Sequence, residues 1–163
     1  MLTDAPRPGG TVRRALLADL PKVAEMCAAH AAFEGAGPVP ADLATRLESA
    51  LLPADPRAWC FVGDHEGELT GYATCSLEFS TWQASDYIHL DCLFVTETHR
   101  GEGWGRRLLD AVTRTAAARS LAQVQWQTPE WNADAIRFYT RAGAQASPKV
   151  RFSLPVQIPS GRP

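Results

Sequence analysis

The nine residues HRGEGWGRR, numbered 99–107, place three glycines at alternate positions inside a charged stretch. Gly101, Gly103 and Gly105 open the amphipathic segment WGRRLLDAVTRTAAARS, in which apolar residues recur at helical spacing. Each glycine in a helix costs about 1 kcal/mol relative to alanine. The stretch therefore indicates that the start of this helix needs an exposed, conformationally free backbone.

A buried strand is predicted directly before the glycines. The segment DYIHLDCLFV (86–95) is apolar on both faces, which favours a central strand. A helix that follows such a strand has unpaired N–H groups and the positive end of its dipole at the junction. Glycine amides there can bind a phosphate, and Arg100, Arg106 and Arg107 add positive charge. We therefore expect a diphosphate site, although the spacing is neither GxGxxG nor GxxxxGK[ST].

The remaining pattern predicts one mixed α/β domain over residues 11–156, with a disordered lead (1–10) and a loose tail (157–163). Asp19 is expected to cap the first helix, and residues 58–79 read as a hairpin that turns at DHEG. Further elements are predicted in this order: a first strand at 11–15, a second helix from Pro40 or Asp42, a strand at 122–128, a helix at 132–143 closed by Gly143, and a last strand at 149–156.

Composition excludes several classes of function. The net charge is −2 in 163 residues, so no basic surface for nucleic acid is expected. No apolar run approaches the roughly 18 residues of a membrane span, and the first ten residues do not resemble a signal peptide. Four cysteines lie in apolar stretches without a CxxC pair, which is typical of buried free thiols in a cytoplasmic protein. The four histidines show no metal-ligand spacing, so no metal is expected.

Two linked motifs resemble one family. RGEGWG fits the pattern Arg/Gln-x-x-Gly-x-Gly/Ala of the acetyl-CoA-dependent N-acetyltransferases, the GNAT superfamily, and about thirty residues later WNADAIRFYTRAGA is similar to its Asn-x-x-Ala-x-x-Phe-Tyr signature. The order of predicted elements, βααβββαβαβ, is also that of the family, whose sheet is mostly antiparallel and flanked by helices. Within the superfamily, the chain most resembles the diamine (spermidine/spermine-type) and thialysine N-acetyltransferases, through Trp82, LDCLFV, RGEGWG and PEWNADAIRFYTRAGA.

The resemblance implies that acetyl-CoA is the co-substrate and that a small-molecule amine attacks its thioester directly. The cofactor-binding residues it implies are Leu93, Phe94, Val95, Arg100, Gly101, Glu102, Gly103, Trp104, Gly105, Arg106, Asn132, Ala135 and Phe138. Tyr139 would protonate the departing thiolate, or it is a packing tyrosine. Asp91 would accept the ammonium proton, or it is held in a salt bridge. Asn132 would bond the pantetheine arm or cap its helix.

The resemblance also implies the acceptor side. Glu34, Trp82 and Asp91 would contact the amine substrate, and the related enzymes are commonly homodimers in which the loop of Trp82 lies near the partner. A strict alternation along the strand would place His89, Asp91, Leu93 and Val95 on one face. That face would then carry the proton acceptor.

Departures from the group leave the substrate open. Thr81 and Cys92 replace acids of the polyamine enzymes, while Lys149 and Arg151 add cations. These changes favour a small primary amine, diamine or amino-acid-like, over spermidine; aminoglycosides and protein amines remain alternatives. Functions of another class are a non-catalytic acyl-CoA-binding regulatory module and a nucleotide-binding regulatory domain. No nucleic acid and no membrane is expected among the partners.

Overall fold

The structure, a computed structural model, describes residues 9–54, 56 and 58–157. Contacts divide the chain into two compact units, residues 1–129 and 130–163. Nearly all of the expected lead (1–10) and tail (157–163) lies outside the described residues, so those predictions and the domain bounds stay predictions. In the described part, the mixed α/β class with a mostly antiparallel sheet is confirmed.

The first unit holds a five-stranded sheet in the order β1-β2-β3-β4-β5. Strands β1 to β4 pair antiparallel in succession, and β5 joins β4 in parallel. The hairpin predicted at DHEG is confirmed, with Gly67 at φ 87° in its turn. The strands are β1 Thr11–Arg14, β2 Ala58–His65, β3 Glu68–Ser80, β4 Ser85–Val95 and β5 Val124–Gln125.

Helices cover both faces of this sheet. On one face α1 (Leu20–Phe33) and α2 (Leu43–Leu51) pack on a core that includes Val62 and Tyr72. On the other face lies α3 (Trp104–Ala118), whose Leu108 and Trp104 approach Gly71 and Gly63. Because successive strand residues point to opposite faces, the pairs Val62↔Tyr72 and Gly63↔Gly71 mark the two sides of one sheet.

Asp19 occupies the expected position before α1, but its side chain does not cap that helix. Its carboxylate accepts the backbone N–H of Leu16 and forms an ion pair with Arg13, whose guanidinium also reaches Asp64. The Arg13 guanidinium lowers the pKa of the Asp19 carboxyl below its usual range. The predicted cap is therefore wrong in its contacts, because a nearby cation binds the carboxylate more strongly than a helix N–H does.

Two strands differ from their predicted extent. The strand expected at 122–128 is reduced to Val124–Gln125, which pairs only with Ile88 and His89 of β4. The last strand, expected at 149–156, is wrong: the described residues from 144 onward are neither helix nor strand. Alternation of Val150, Phe152 and Leu154 supplies a strand pattern, but these side chains are 77% to 90% exposed. A strand also needs a ladder partner, which the described residues do not provide for this segment.

The second unit contains α4 (Ala133–Arg141), which confirms the helix predicted there. Its end is also as expected, because Gly143 takes φ 95° and donates its N–H to the carbonyl of Thr140. A glycine in this left-handed conformation is the usual way to end a helix.

Candidate active site

The glycine turn has the backbone geometry of an open anion cradle. Gly101 and Gly103 have φ of 81° and 87°, and Gly103 is the residue directly before α3. A Cβ added to either glycine would meet no atom within 4 Å. The first N–H groups of α3 therefore border open space, which leaves room for a phosphate to approach them. This open backbone is a physical reason for glycine at these positions.

Side chains around the turn hold it in place. Trp104 is 1% exposed and packs against Gly63 of β2, while its Nε1 donates to Glu102 at 3.2 Å. Arg107 lies over the Trp104 ring and donates to the carbonyl of Gly10 at 2.6 Å. Arg106 forms an ion pair with Asp110 one turn later in α3. These contacts fix the start of the helix without covering its first amides.

Arg100 lies toward the α1 side of the sheet. Its Nε donates to the carbonyl of Val95 at 3.3 Å, and its guanidinium stands 5.5 Å and 5.9 Å from the ring centres of Phe33 and Phe94. An arginine over two aromatic rings is stabilised by cation–π attraction. Arg100 therefore borders the glycine turn, Phe33 at the end of α1 and Phe94 on β4.

Within the described residues, the C-terminal half of β4 has no strand partner on the side away from β3, beside the glycine turn. Thr96 donates its N–H to the carbonyl of Thr70 on β3 at 2.9 Å. Because backbone groups alternate in an antiparallel ladder, those of Leu93 and Val95 point away from β3, toward the edge that β5 pairs only at Ile88 and His89. The backbone groups of Leu93 and Val95 face this edge, where the Val95 carbonyl accepts from Arg100 Nε, whereas Phe94 points its backbone groups at β3. Cofactor binding by these three residues stays a prediction.

Asp91 is the extra residue of a bulge. Leu90 lies opposite Cys75 and Cys92 lies opposite Thr74, so Asp91 has no partner on β3. A bulge is therefore present in β4, and Asp91 is exposed on it. The bulge also contradicts the strict alternation expected along β4, because one inserted residue moves the following side chains to the opposite face of the sheet.

Because of the bulge, the side chain of His89 lies on the same face of the sheet as those of Cys92 and Phe94. His89 lies opposite Ser76, which faces the same side of β3 as Thr74 and Tyr72, the side covered by α1. Leu93 and Val95 lie opposite Ala73 and Gly71 and face α3. The prediction that His89, Leu93 and Val95 share one face is wrong.

A polar cluster joins α1 to this face of the sheet. His30 on α1 contacts the Tyr72 hydroxyl through Nδ1 and Glu34 Oε1 through Nε2, each at 3.2 Å. Its ring stacks on Phe94 at 5.3 Å between centroids. Glu34 keeps about a third of its side chain exposed. Sequence reasoning considered His30 only as a metal ligand and missed this position, since α1 and β4 are sixty residues apart in the chain.

Thiols line the buried end of the cluster. Cys92 Sγ lies 3.6 Å from Asp91 Oδ2. Burial, together with the Asp91 charge, raises the pKa of the Cys92 thiol to about 12, and burial also raises the pKa values of Cys27 and Tyr72. All four cysteines are free, as predicted; Cys60 and Cys75 are buried, whereas Cys27 and Cys92 are half-buried. These groups stay protonated near neutral pH and can donate weak hydrogen bonds.

An open groove of about 640 Å³ lies between α1 and the end of β4. Its walls are apolar and its rim carries charges of both signs. The lining residues are Lys22, Glu25, Met26, Ala29, Phe33, Phe94, Thr96, Glu97 and Arg100. The groove thus runs from the outer face of α1 to the residue that precedes the glycine turn.

The predicted residues of the second unit form one face of α4. Asn132 Oδ1 accepts the N–H of Ala135 at 3.1 Å, which confirms the cap reading of this residue. The ring centroids of Phe138 and Tyr139 lie 5.1 Å apart, and both residues are half-buried. Asn132, Ala135 and Tyr139 are spaced three and four residues apart and so lie along the same side of the helix.

Trp82 stands in the turn between β3 and β4 and is 95% exposed. Its roles as an acceptor wall or as an interface residue stay predictions. Among the described residues, no three His, Cys, Asp or Glu side chains are grouped to hold a metal ion. None of the described helices has the length and apolar character needed to cross a membrane.

The fold and the glycine turn are those expected of an acetyltransferase, and comparison with known proteins supports this class. Residues 25–144 match the acetyltransferase (GNAT) family. The chain belongs to this family of acetyltransferases. The match runs from α1 through α4 and includes both motifs recognised in the sequence.

Similar proteins with assigned activities acetylate small amines. The chain is 29% identical over 93 residues to an L-ornithine N5-acetyltransferase of Arabidopsis thaliana, covering 56% of this chain and 41% of that protein. It is 28% identical over 112 residues to the thialysine N-epsilon-acetyltransferase of Bos taurus, covering 69% of this chain and 61% of that protein. The matched stretches thus span less than two thirds of these relatives.

Solved structures of low sequence identity share the fold. A transcriptional regulator from Bacillus halodurans C-125 superposes with a TM-score of 0.77 at 21% identity, covering 89% of this chain and 99% of that one. An aminoglycoside acetyltransferase from an uncultured soil metagenomic sample superposes with a TM-score of 0.73 at 20% identity, covering 90% of this chain and 96% of that one.

Proposed function

We propose that the protein transfers the acetyl group of acetyl-CoA to a primary amine of a small molecule, diamine or amino-acid-like. The observation that carries the proposal is the unpaired edge of β4 that leads from the bulge at Asp91 to the glycine turn. An extended thiol cofactor can bond along Leu93 and Val95 while its diphosphate lies against the first amides of α3. The thioester then lies near the bulge.

The reaction needs a neutral amine, a proton acceptor and an acid for the leaving thiolate. Asp91, exposed at the bulge, accepts the proton of the ammonium group through a water molecule. The amine nitrogen then bonds to the thioester carbonyl carbon, the carbon–sulfur bond breaks, and Tyr139 gives its phenolic proton to the thiolate. The remaining extra proton on the acylated nitrogen passes to water, and water returns a proton to the Tyr139 phenolate. The assignment of Tyr139 is supported by its position in the Asn-x-x-Ala-x-x-Phe-Tyr signature on α4.

The acceptor is expected on the α1 side of the sheet. Glu34 and Asp91 supply carboxylates there for a cationic amine, while Arg100 and Lys22 at the groove rim suit a carboxylate of the same molecule. Relatives named for ornithine, thialysine and D-amino acids support an amino-acid-like acceptor, and a relative named for spermine and spermidine is the reason to include a polyamine in the test. We also propose a cytoplasmic homodimer, which light scattering of the purified protein tests.

A screen separates this function from its alternatives. The purified protein is incubated with acetyl-CoA and a panel of ornithine, lysine, diamines, spermidine, an aminoglycoside and a peptide, and release of the CoA thiol is measured. Turnover of an amino acid or diamine supports the proposal. Binding of acetyl-CoA, read as a raised melting temperature, without turnover of any amine supports a non-catalytic acyl-CoA-binding module instead.

A further inference from the structure

We propose that His30 is a positioning residue for the acceptor: it holds the Glu34 carboxylate toward the amine and leaves its charge available. This inference rests on the proposed function, because it assumes that Glu34 faces the acceptor. It assigns a role to a side chain that the motifs of the chain do not include.

The imidazole is held from three directions. Only 15% of the His30 side chain is exposed. One ring face stacks on Phe94 with an interplanar angle of 28°, and the ring meets Tyr72 edge-on at 6.3 Å. Tyr72 itself is 1% exposed. A ring confined in this way has little rotational freedom left, so Nε2 is directed at Glu34.

The partners of the two hydrogen bonds favour one tautomer of the His30 ring. A carboxylate only accepts hydrogen bonds, so the contact between His30 Nε2 and Glu34 Oε1 requires a proton on Nε2. Burial keeps the Tyr72 phenol protonated, and its O–H can donate to Nδ1. The chain Tyr72 O–H to His30 Nδ1, then His30 Nε2–H to Glu34, is therefore complete with a neutral imidazole.

Because a neutral His30 donates a hydrogen bond but carries no charge, it leaves the negative charge of Glu34 uncompensated. Within the described part of the chain, the other carboxylate oxygen, Oε2, has no hydrogen-bond partner, and Glu34 ends α1 at the solvent side of the cluster. A lysine or arginine in place of His30 would neutralise the acid that is to attract an ammonium group. Histidine orients Glu34 at no cost to its charge, which is the requirement for recognising a cationic amine.

The kinetic test compares His30→Leu, His30→Gln, Glu34→Gln and the double variant His30→Leu/Glu34→Gln on the amine that the panel identifies. His30→Leu is expected to raise KM for the amine by about tenfold, as befits loss of a hydrogen bond to a charged group, with kcat and KM for acetyl-CoA unchanged. His30→Gln, which keeps a donor, restores most of the affinity. The double variant should bind the amine no worse than Glu34→Gln alone, because His30 acts through Glu34.

Several results would overturn the inference. A double variant whose KM is the product of the two single effects, or a His30→Leu variant that loses kcat, would show that His30 acts independently of Glu34. Glu48→Gln on α2, an exposed acid away from the cluster, is the matched control and should behave as the wild type.

A measurement without turnover keeps this test separate from the proposed function. The ¹⁵N shifts of the His30 ring, assigned by comparison with His30→Gln, report the tautomer directly. The inference expects the Nε2–H form in the wild type. An Nδ1–H form would overturn it even if the enzyme acetylates amines, whereas the Nε2–H form with no turnover of any amine would contradict the proposed function alone.

Discussion

Gly63 of β2 lies directly against the indole of Trp104: a Cβ built on Gly63 would stand 2.8 Å from Cε3 of that ring. The same added atom would collide with Oγ1 of Thr70. The sheet and the first residue of α3 therefore meet where only a hydrogen atom fits. This contact sets the height of the helix, and with it the glycine turn, above the sheet.

Gly63→Ala is expected to lower the free energy of unfolding by roughly 1–3 kcal/mol, because the interior has no room for the methyl group. Urea unfolding followed by fluorescence measures the change. Gly37→Ala is the matched control, since a Cβ at Gly37 meets nothing within 4 Å. Equal stability of the two variants would contradict the close contact.

Thr70→Val is expected to leave the free energy of unfolding unchanged or to raise it by about 1 kcal/mol. The Thr70 hydroxyl is buried and has no hydrogen-bond partner within the described residues, so its removal loses no bond. Thr96→Val provides the contrast, because the Thr96 hydroxyl donates to the carbonyl of Thr70. A Thr70→Val protein that unfolds more readily than Thr96→Val would show that the hydroxyl has a partner.

Gly103→Ala and Gly67→Ala separate backbone strain from ligand binding. Both glycines have φ of 87° and open space around the missing Cβ. Each alanine should therefore lower the free energy of unfolding by a similar amount, roughly 1–2 kcal/mol. Only Gly103→Ala should weaken acetyl-CoA binding, by about tenfold or more, which corresponds to 1.4 kcal/mol.

Isothermal calorimetry of the two glycine variants with acetyl-CoA gives the answer. Equal affinities would place the diphosphate away from the start of α3. The comparison is informative because thermal unfolding first verifies that the two substitutions are equally strained.

Asp19→Asn is expected to destabilise the protein by about 1 kcal/mol at neutral pH, since the ion pair with Arg13 is partly screened by solvent. The folded-state pKa of Asp19 is lowered, chiefly by its hydrogen bond with Arg13. Its contribution is therefore complete above the unfolded value of about 3.9 and is lost as pH falls through the folded value. The difference between wild type and variant should accordingly vanish in acid.

Chemical unfolding at a series of pH values tests that dependence. Asp42→Asn, which breaks an exposed pair with Arg46, should change stability much less. A difference between wild type and Asp19→Asn that grows toward low pH would have the wrong sign and would exclude the ion pair as its cause.

Tyr139→Phe is expected to reduce kcat about a hundredfold, within the range for loss of a general acid, and to leave the affinity for acetyl-CoA unchanged. Thr140→Val, which removes a hydroxyl from the next residue of α4, should keep the wild-type rate. Stopped assays of CoA release with saturating amine compare the two. Full turnover by Tyr139→Phe would remove Tyr139 from the mechanism.

Local patterns in the sequence were sufficient for the turns and helix ends to which the proposed chemistry is assigned. The glycines at 101 and 103, the cap formed by Asn132 and the end of α4 at Gly143 were all predicted, because turns and helix ends depend on the conformational range of a few adjacent residues. The hairpin between β2 and β3 follows from the same kind of signal at Gly67.

Patterns that rely on a distant partner were less informative. Alternation at 149–156 predicts a strand, but a strand exists only where another strand completes its hydrogen bonds, and sequence spacing does not supply that partner. The position of Asp19 was right and its contacts were wrong, because Arg13 and Asp64 reach its surroundings only when β1 and β2 pair.

The sequence by itself determined the family, the order of most elements and the glycine turn, since each is encoded in residues close together along the chain. Only the tertiary structure decided which groups share the α1 side of the sheet. The bulge at Asp91 turns His89 to the face of Phe94, and the packing of α1 brings His30 and Glu34 there. A single inserted residue in a ladder reverses every side chain beyond it, and no local pattern reveals on which strand that residue lies unpaired.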